Sequence, residues 1–476
     1  MQTTQHNPEP VSAFCEDALS AHDAVGLAEM VVNRQLTPGE MVAASIERAK
    51  AVNDRLNAIA ATDFDRALSR AGLDLRGPLS GVPTFIKDTE QVQGLPMHLG
   101  SHALPGEVSD DSSPITRQIE ATGLLSIGTS TTPEFGLKGT TESERFGATR
   151  NPWNTDYSTG GSSGGSAALV AAGVVPIAHA NDGAGSIRIP ASCCGLVGLK
   201  PTRGRLAGKD VPGYFPANIF HEGVVTRTVR DTVAFYAAVE QTSSLGTLPP
   251  LGPVFTPGNK RLKIAVLTEN CQGVACDSQN VAAAHQAAGT CAALGHEVNT
   301  IYNPFYAAFD EDFWIVWSHI AFSLRYFGKT IVGRSFEHAK LQDWAGFLVR
   351  HNWKNLHRMP LAFRRLKRFA AQYDQLLAEH DVLLTPTLGT PTPKIGYFGP
   401  DVPGAVHLER IRVFLPFTKY QNISGTPAIT LPLATCANGL PVGVQFAAGF
   451  GEDKMLLELA LELEQATPWK TLAEHA

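Results

Sequence analysis

Two glycine-rich segments separated by an apolar stretch constrain this chain more than any other feature. They are residues 158–166 (STGGSSGGS) and residues 181–190 (NDGAGSIRIP). Glycine at this density lets the backbone adopt positive φ and approach another group closely. Consecutive backbone N–H groups with small side chains form a concave cluster of donors for an anion. The segments therefore predict a site for a phosphate or for the oxyanion of an acyl-transfer intermediate.

Several known loop motifs do not account for these segments. A P-loop ends in Gly-Lys-Ser/Thr, but Gly165 is followed by Ser166 and Ala167, and no G-x-G-x-x-G is present. Residues 161–165 match G-x-S-x-G, yet that nucleophile elbow must follow a strand, and residues 151–157 (NPWNTDY) predict a loop. No serine lies three residues before a lysine, which excludes the S-x-x-K arrangement. A serine nucleophile in this region therefore needs a base from elsewhere in the chain.

Lys87 is the candidate for that base. It ends the apolar run of residues 82–86 (VPTFI), which reads as a buried strand. A lysine at such a position loses hydration, which lowers its pKa and lets the neutral amine accept a proton near neutral pH. A salt bridge with Asp88 or Glu134 at the strand end is the competing structural interpretation.

The pattern along the chain alternates short apolar runs with helical stretches. Residues 37–40 (TPGE) predict a capping box, followed by apolar residues at helical spacing. Strands are predicted at residues 81–88, 174–178, 262–267 and 382–384, and helices at residues 167–172 and 455–464. This alternation by itself predicts a largely parallel sheet covered on both faces.

Charge and cysteine content exclude several protein classes. The formal charge of −6 argues against nucleic-acid binding. No apolar run approaches the ~20 residues of a membrane span, and the N-terminal segment lacks the basic and apolar regions of a secretory signal. Seven cysteines without C-x-x-C spacing indicate neither a disulfide framework nor a zinc site. We expect a reduced cytoplasmic protein with no metal.

Residues 344–373 are rich in basic and aromatic side chains and contain no Asp or Glu. Such a stretch is compatible with a helix on a membrane surface. The preferred interpretation is the solvated side of an amphipathic helix near the substrate entrance.

The motifs as a set resemble the amidase signature family. The resemblance is carried by GVPTFIKD around Lys87, TGGSSGGSAA around Ser162, and NDGAGSIRIPAS around Ser186, with CGLVGLKPT after it. A weaker match covers residues 382–476, through NISGTPA and GLPVGVQ. Within the family, the chain is similar to bacterial acylamidases, 6-aminohexanoate cyclic dimer hydrolases and urethanases. One departure is Ala184, where the family more often has glycine.

The resemblance implies a catalytic triad without a cofactor or metal. Ser186 is the implied nucleophile, and Ser162, after a cis peptide bond from Gly161, bridges it to Lys87 as base. The resemblance also implies that the backbone N–H groups of Gly183, Ala184, Gly185 and Ser186 are oxyanion donors. Asp182, Arg188 and Ser163 are implied as supporting residues. Substrate contacts are expected from Gly160 and Trp317, with Trp314, Phe322 and Phe347 as further candidates for apolar pocket walls or core.

The fold implied by the resemblance is one α/β domain, residues 1–476, with a central twisted mixed sheet covered by helices on both faces. We expect a helical N-terminal segment at about 17–75, a catalytic core at about 76–240, a variable helical entrance region at about 305–378 and a C-terminal return at 379–476. The implied activity is hydrolysis of C–N bonds in small amides through an acyl-enzyme, with esters and carbamates as further substrates, by a monomer or homodimer.

Two alternatives differ in function. The first is the amidase subunit of a tRNA-dependent amidotransferase, which would release ammonia from glutamine inside a complex. The second is a binding protein with a decayed site, which the presence of all three candidate catalytic side chains disfavours. Free glutaminase activity or two partner chains would favour the first alternative.

Overall fold

The helices and strands of a computed structural model follow the alternation that the sequence predicts. The model describes residues 9–73, 75–208, 218–242, 248–252 and 254–475. The helices are α1 Ala24–Val32, α2 Pro38–Leu56, α3 Phe64–Ala71, α4 Pro114–Ala121, α5 Gly164–Ala171, α6 Arg188–Cys194, α7 Val229–Thr242, α8 Ser278–Ala293, α9 Phe309–Ile331, α10 Asp343–Asn355, α11 Met359–Glu379, α12 Gly404–Phe414, α13 Lys419–Ser424 and α14 Asp453–Ala466. The strands are β1 Ile59–Thr62, β2 Pro83–Lys87, β3 Leu125–Ser130, β4 Glu142–Ser143, β5 Gly147–Ala148, β6 Arg150–Asn151, β7 Asn154–Ser158, β8 Ile177–Asp182, β9 Val197–Lys200, β10 His221–Thr226, β11 Lys263–Val266, β12 Glu297–Thr300, β13 Val382–Pro386, β14 Ala428–Thr435 and β15 Pro441–Ala448.

The start of α2 confirms the predicted capping box. The Thr37 hydroxyl accepts the Glu40 N–H at 3.3 Å, and the Glu40 carboxylate accepts the Thr37 N–H at 2.8 Å. Val42, Ile46 and Ala49 follow at helical spacing and are buried. Each cap bond satisfies a backbone N–H that the first helical turn leaves without a partner, so the local sequence is sufficient to start this helix.

The central sheet is mixed, as the resemblance implies, whereas the largely parallel sheet predicted from the alternation of apolar runs and helices is wrong. Its strand order is β12-β11-β13-β15-β14-β9-β10-β8. Strand β11 pairs in parallel with β12 and β13, whereas the remaining neighbours pair antiparallel. One reason is local: β14 and β15 are joined by a turn of a few residues, and a connection that short permits only antiparallel neighbours.

Apolar side chains on the sheet alternate between two cores, one on each face. In β13, Leu383 packs into one core, while Val382 and Leu384 pack into the other. Helices α5, α9, α10 and α11 contribute to the first core, and α7, α8 and α14 contribute to the second. This is the period-two burial of a sheet covered on both sides, in agreement with the single α/β domain that the resemblance implies.

A smaller sheet carries Lys87 to the edge of the central sheet. Its order is β1-β3-β2, with β2 parallel to β3. The outer strand β2 lies beside β8, the last strand of the central sheet, and the Thr84 hydroxyl donates to the Ile177 carbonyl at 3.0 Å. Two sheet edges therefore meet where β2 and β8 both end.

Three local predictions differ from the structure. The strand predicted at residues 174–178 begins only at Ile177, as β8. Residues 154–158 form β7, which pairs with β6 as a short hairpin, where a loop is predicted. The basic and aromatic stretch contains two helices, α10 and α11, separated by a 3-10 turn at residues 356–358. Pro360 at the start of α11 explains this break, because proline is accommodated in the first turn of a helix but not in its interior. Among the described residues, no helix combines the length and apolar character that a bilayer span requires.

Candidate active site

Lys87 occupies the buried end of β2, with its amine among side-chain oxygens. The residue has no solvent exposure. Its Nζ lies 2.7 Å from Ser162 Oγ, 2.9 Å from Ser163 Oγ and 2.6 Å from Asn181 Oδ1. Three oxygens at this range fix the direction of the amine.

The two serines enter this site from the turn before α5. The Gly161–Ser162 peptide bond is cis, as the resemblance implies. At Gly161 a side chain would overlap the Thr140 backbone at 2.6 Å. Ser163 bonds Lys87 and also exchanges hydrogen bonds of 3.3 Å with the Asn181 backbone. The expected support of Lys87 by Ser163 therefore has a direct geometric counterpart.

Asn181 is a site residue to which sequence reasoning assigned no role. Besides accepting from Lys87, its amide donates to the Thr89 hydroxyl at 2.8 Å. The available signal was its position, one residue before Asp182 in the second glycine-rich segment.

Asp182 and Arg188 form the buried ion pair that the resemblance implies. Both side chains have no solvent exposure, and the guanidinium contacts both carboxylate oxygens at 2.9 and 3.0 Å. Burial alone would raise the pKa of Asp182, but the charge and hydrogen bonds of Arg188 hold this pKa well below its usual range. The carboxylate therefore stays ionised, and its ion pair with Arg188 connects the end of β8 to the start of α6.

The loop of residues 183–186 presents backbone N–H groups beside Ser186. The Gly185 N–H donates to Asp182 at 2.6 Å, so this group is occupied, and its expected role as an oxyanion donor is not met in the structure. The N–H groups of Gly183, Ala184 and Ser186 have no hydrogen-bond acceptor within the described part of the chain. Buried N–H groups are almost always paired, so three unpaired donors in one loop favour an external acceptor.

Ser186 lies in this loop with only 5% of its surface exposed. The expected hydrogen bond from Ser186 to Ser162 is not formed between these two described residues. Hydrogen bonds of catalytic groups are often long without substrate and tighten when it binds. The structure thus contains the Lys87–Ser162 half of the expected chain, and the contact to Ser186 stays a prediction.

Aromatic side chains flank the loop at Gly183. A methyl group placed there would lie 2.9 Å from Phe220 and 3.2 Å from Trp317. Trp317 is 4% exposed, and its indole N–H has no partner among the described residues. Gly160, also expected near substrate, approaches α6 instead: its added methyl would lie 2.9 Å from Cys193 Sγ. The candidate site therefore has an apolar wall with one polar donor beside the loop of residues 183–186.

The other aromatic candidates pack mainly against each other. Trp314 and Phe347 contact Trp344, with ring centroids 6.5 and 5.6 Å apart. Phe322 contacts Trp353 at 5.3 Å. These contacts favour a core role for Trp314 and a position at the edge of the core for Phe347. Phe322 packs against the half-exposed Trp353 near the surface.

The C-terminal part of the chain braces the loop, a role that sequence reasoning did not assign. Arg188 donates to the side-chain oxygens of Gln421, Gln445 and Asn422, each at 2.8 Å. The Thr418 hydroxyl donates to the Ala184 carbonyl at 2.7 Å. Asn422 and Gln445 lie in the weaker motifs NISGTPA and GLPVGVQ, which were the available signal.

Comparisons with known proteins agree with this architecture. The family model described as Amidase matches residues 40–457. The protein named "Putative amidase AmiC" from Mycobacterium tuberculosis is 45% identical over 462 residues, covering 96% of this chain and 97% of that protein. The 6-aminohexanoate-cyclic-dimer hydrolase of Paenarthrobacter ureafaciens is 36% identical, covering 94% and 95% of the two chains. The solved structure of a 6-aminohexanoate cyclic dimer hydrolase with substrate superimposes with a TM-score of 0.85 at 33% identity, covering 95% of this chain and 98% of that one.

Proposed function

This chain is an amide hydrolase of the amidase signature family, and we propose that it works through an acyl-enzyme formed on Ser186. The observation that carries the proposal is the buried Lys87 amine, which lies 2.7 Å from the Ser162 hydroxyl and 2.6 Å from the side-chain oxygen of Asn181, shortly before Ser186 in the chain. A neutral amine in this position can accept a proton from Ser162 as Ser162 accepts one from Ser186.

In the first half of the proposed reaction, Ser186 Oγ attacks the amide carbonyl carbon. The carbonyl oxygen becomes an oxyanion, for which the unpaired N–H groups of Gly183, Ala184 and Ser186 are the proposed donors. A preorganised donor of this kind typically contributes ~10²–10³ in rate. The proton that leaves Ser186 moves through Ser162 to Lys87.

In the second half, the same proton returns to the departing amine, and the C–N bond breaks to leave the acyl group on Ser186. A water molecule then attacks the acyl carbon, and its proton passes through Ser162 to Lys87. The bond between the acyl carbon and Ser186 Oγ breaks, the proton returns through Ser162 to Ser186 Oγ, and the carboxylic acid is released. Asp182 and Arg188 take no proton in this scheme. Their role is to hold the loop that carries the oxyanion donors.

We also propose that esters and carbamates are substrates. Their acyl carbons form the same tetrahedral oxyanion, and the Lys87–Ser162 pair can protonate an alcohol as well as an amine. The apolar wall of Trp317 and Phe220 supports acyl or leaving groups with alkyl or aryl character. The similarity to 6-aminohexanoate-cyclic-dimer hydrolase makes cyclic amides a further class to test.

The catalytic assignment is tested by replacing Ser186 with alanine. Ser192→Ala is a matched control, because Ser192 is a buried serine six residues away that accepts the Gly443 N–H at 2.9 Å. We expect Ser186→Ala to lose the acyl-enzyme mass adduct and phenylmethylsulfonyl fluoride labelling, and Ser192→Ala to keep both. More than a few per cent of wild-type turnover in Ser186→Ala would contradict the nucleophile assignment.

Substrate class is tested with one panel of anilides, primary amides, cyclic amides, p-nitrophenyl esters, aryl carbamates and glutamine. We expect turnover of the first five classes by the isolated chain. Strong preference for glutamine would instead favour the amidotransferase subunit. We further propose a cytoplasmic location, which the seven free thiols support, and a monomeric or homodimeric state.

A further inference from the structure

A buried histidine and glutamate lie directly behind Lys87, outside the proposed triad. The Lys87 backbone N–H donates to His179 Nδ1 at 3.2 Å. His179 Nε2 lies 3.0 Å from Glu222 Oε2, and the two side chains are 0% and 2% exposed. These contacts connect β2, which carries Lys87, to β8 and β10 of the central sheet.

The backbone contact determines where the imidazole proton resides. A backbone N–H can only donate, so Nδ1 of His179 must be the acceptor. The proton of the neutral ring is then on Nε2, where it donates to the Glu222 carboxylate. The ring has a single orientation that satisfies both neighbours, and Glu222 holds the ring in it by accepting the Nε2–H.

This ring lies between the two halves of the site. Lys87 belongs to the small sheet, whereas Ser186 follows β8 at the edge of the central sheet. The sheets meet through side-chain contacts between β2 and β8, among them His179 to the Lys87 N–H and Thr84 to the Ile177 carbonyl. A shift of β2 relative to β8 would move the Lys87 amine with respect to Ser162 and Ser186.

We propose that His179 and Glu222 are positioning residues, which hold the Lys87 main chain against β8 and so fix the amine on Ser162. The inference rests on the proposed function of Lys87 as the base. Neither residue touches the reacting atoms in this proposal. Their effect is on the geometry of proton transfer, where a displacement of about 1 Å can cost about 100-fold in rate.

The chain contains a matched control pair with the same geometry. The Leu262 N–H donates to His296 Nδ1 at 3.0 Å, and His296 Nε2 lies 3.1 Å from Glu462 Oε2. The His296 side chain is also fully buried. Leu262 immediately precedes β11, near the opposite end of the central sheet from β8, so changes at this pair report the structural cost of breaking such a unit.

The test compares asparagine and glutamine at both histidines. Asparagine places an amide oxygen near the position of Nδ1, so His179→Asn can still accept the Lys87 N–H but loses Glu222. Glutamine reaches the position of Nε2, so His179→Gln keeps the Glu222 contact but loses the Lys87 N–H. We expect kcat to fall about 10- to 100-fold in His179→Gln and less than about 5-fold in His179→Asn, with KM changed less than about 2-fold in both.

For thermal stability we expect the reverse order of the two variants: His179→Gln should melt at a higher temperature than His179→Asn, because it keeps more side-chain volume and the contact to Glu222. His296→Gln and His296→Asn should lower the melting temperature without lowering kcat. Equal kcat in the two His179 variants, or loss of kcat in the His296 variants, would overturn the inference.

Glu222→Gln keeps the volume of the side chain, so it tests the inference even if the His179 variants fail to fold. Since a neutral amide accepts the Nε2–H more weakly than a carboxylate does, we expect kcat to fall at least about 3-fold at unchanged KM, and Glu462→Gln to keep wild-type kcat. Wild-type kcat in Glu222→Gln would overturn the positioning role. Lys87→Ala separates the two proposals: if it is inactive while His179→Gln is fully active, only this inference fails, and if Lys87→Ala keeps activity, the proposed function fails.

Discussion

The loop between β8 and α6 should tolerate no side chain at Gly185. This residue has φ of +124°, and an added methyl would lie 2.6 Å from Thr418 Oγ1 and 2.7 Å from Thr418 Cβ. Thr418 also holds the Ala184 carbonyl, so a displaced Thr418 moves the backbone that presents the proposed oxyanion donors. We therefore expect Gly185→Ala to damage both stability and turnover.

The magnitude follows from two separate costs. A left-handed backbone costs a non-glycine residue about 1–2 kcal/mol, and overpacking a filled core costs about 1–3 kcal/mol. Gly439, in the turn between β14 and β15, has φ of +83° and no atom within 4 Å of an added methyl. Gly439→Ala therefore incurs the first cost without the second.

Melting and turnover measurements on both variants test this reasoning. At about 2.1 cal/mol/K per residue, a chain of this length loses about 1 °C of melting temperature per kcal/mol. We expect a decrease of about 2–5 °C for Gly185→Ala and about 1–2 °C for Gly439→Ala. Turnover of an anilide should fall about 100-fold in Gly185→Ala, as for loss of an oxyanion donor, and stay at the wild-type level in Gly439→Ala. Wild-type turnover in Gly185→Ala, or an equal loss in both variants, would refute the role assigned to this loop.

Two further predictions concern buried charges. Asp182→Asn leaves the Arg188 guanidinium buried without its counter-charge, so the free energy of unfolding in urea should fall by about 3–5 kcal/mol; a change below about 1 kcal/mol would contradict the importance of this pair. Burial raises the pKa of Glu134 from 4.5 to about 7, so the folded state keeps a proton that the unfolded chain releases as the pH rises above about 4.5. The free energy of unfolding of the wild type should therefore fall relative to that of Glu134→Gln between pH 5 and pH 7, by up to about 1.4 kcal/mol per pH unit, and level off above the folded pKa. Parallel pH profiles of the two proteins in urea denaturation would contradict this expectation.

Local features of the fold are predictable from neighbouring residues. The capping box at Thr37 and Glu40, the apolar run that ends at Lys87, and the glycine-rich segments each depend on a few consecutive residues. The relative direction of the strands does not depend on consecutive residues. The alternation of apolar runs predicts which segments are buried, but it contains little information on how distant strands pair. For this reason the sequence pattern favours a parallel sheet where the structure has a mixed one.

The candidate site divides in the same way. The buried apolar run singles out Lys87 as a candidate base, and the resemblance of the motifs to the amidase signature family singles out Ser162 and Ser186, because consecutive residues in a motif are visible in one dimension. Only the tertiary structure assigns the Gly185 N–H to Asp182, and only it brings Gln421, Asn422 and Gln445 to Arg188 from more than 200 positions along the chain. A buried guanidinium must have hydrogen-bond partners, but which distant residues provide them depends on how the sheet and helices pack, which no local pattern records.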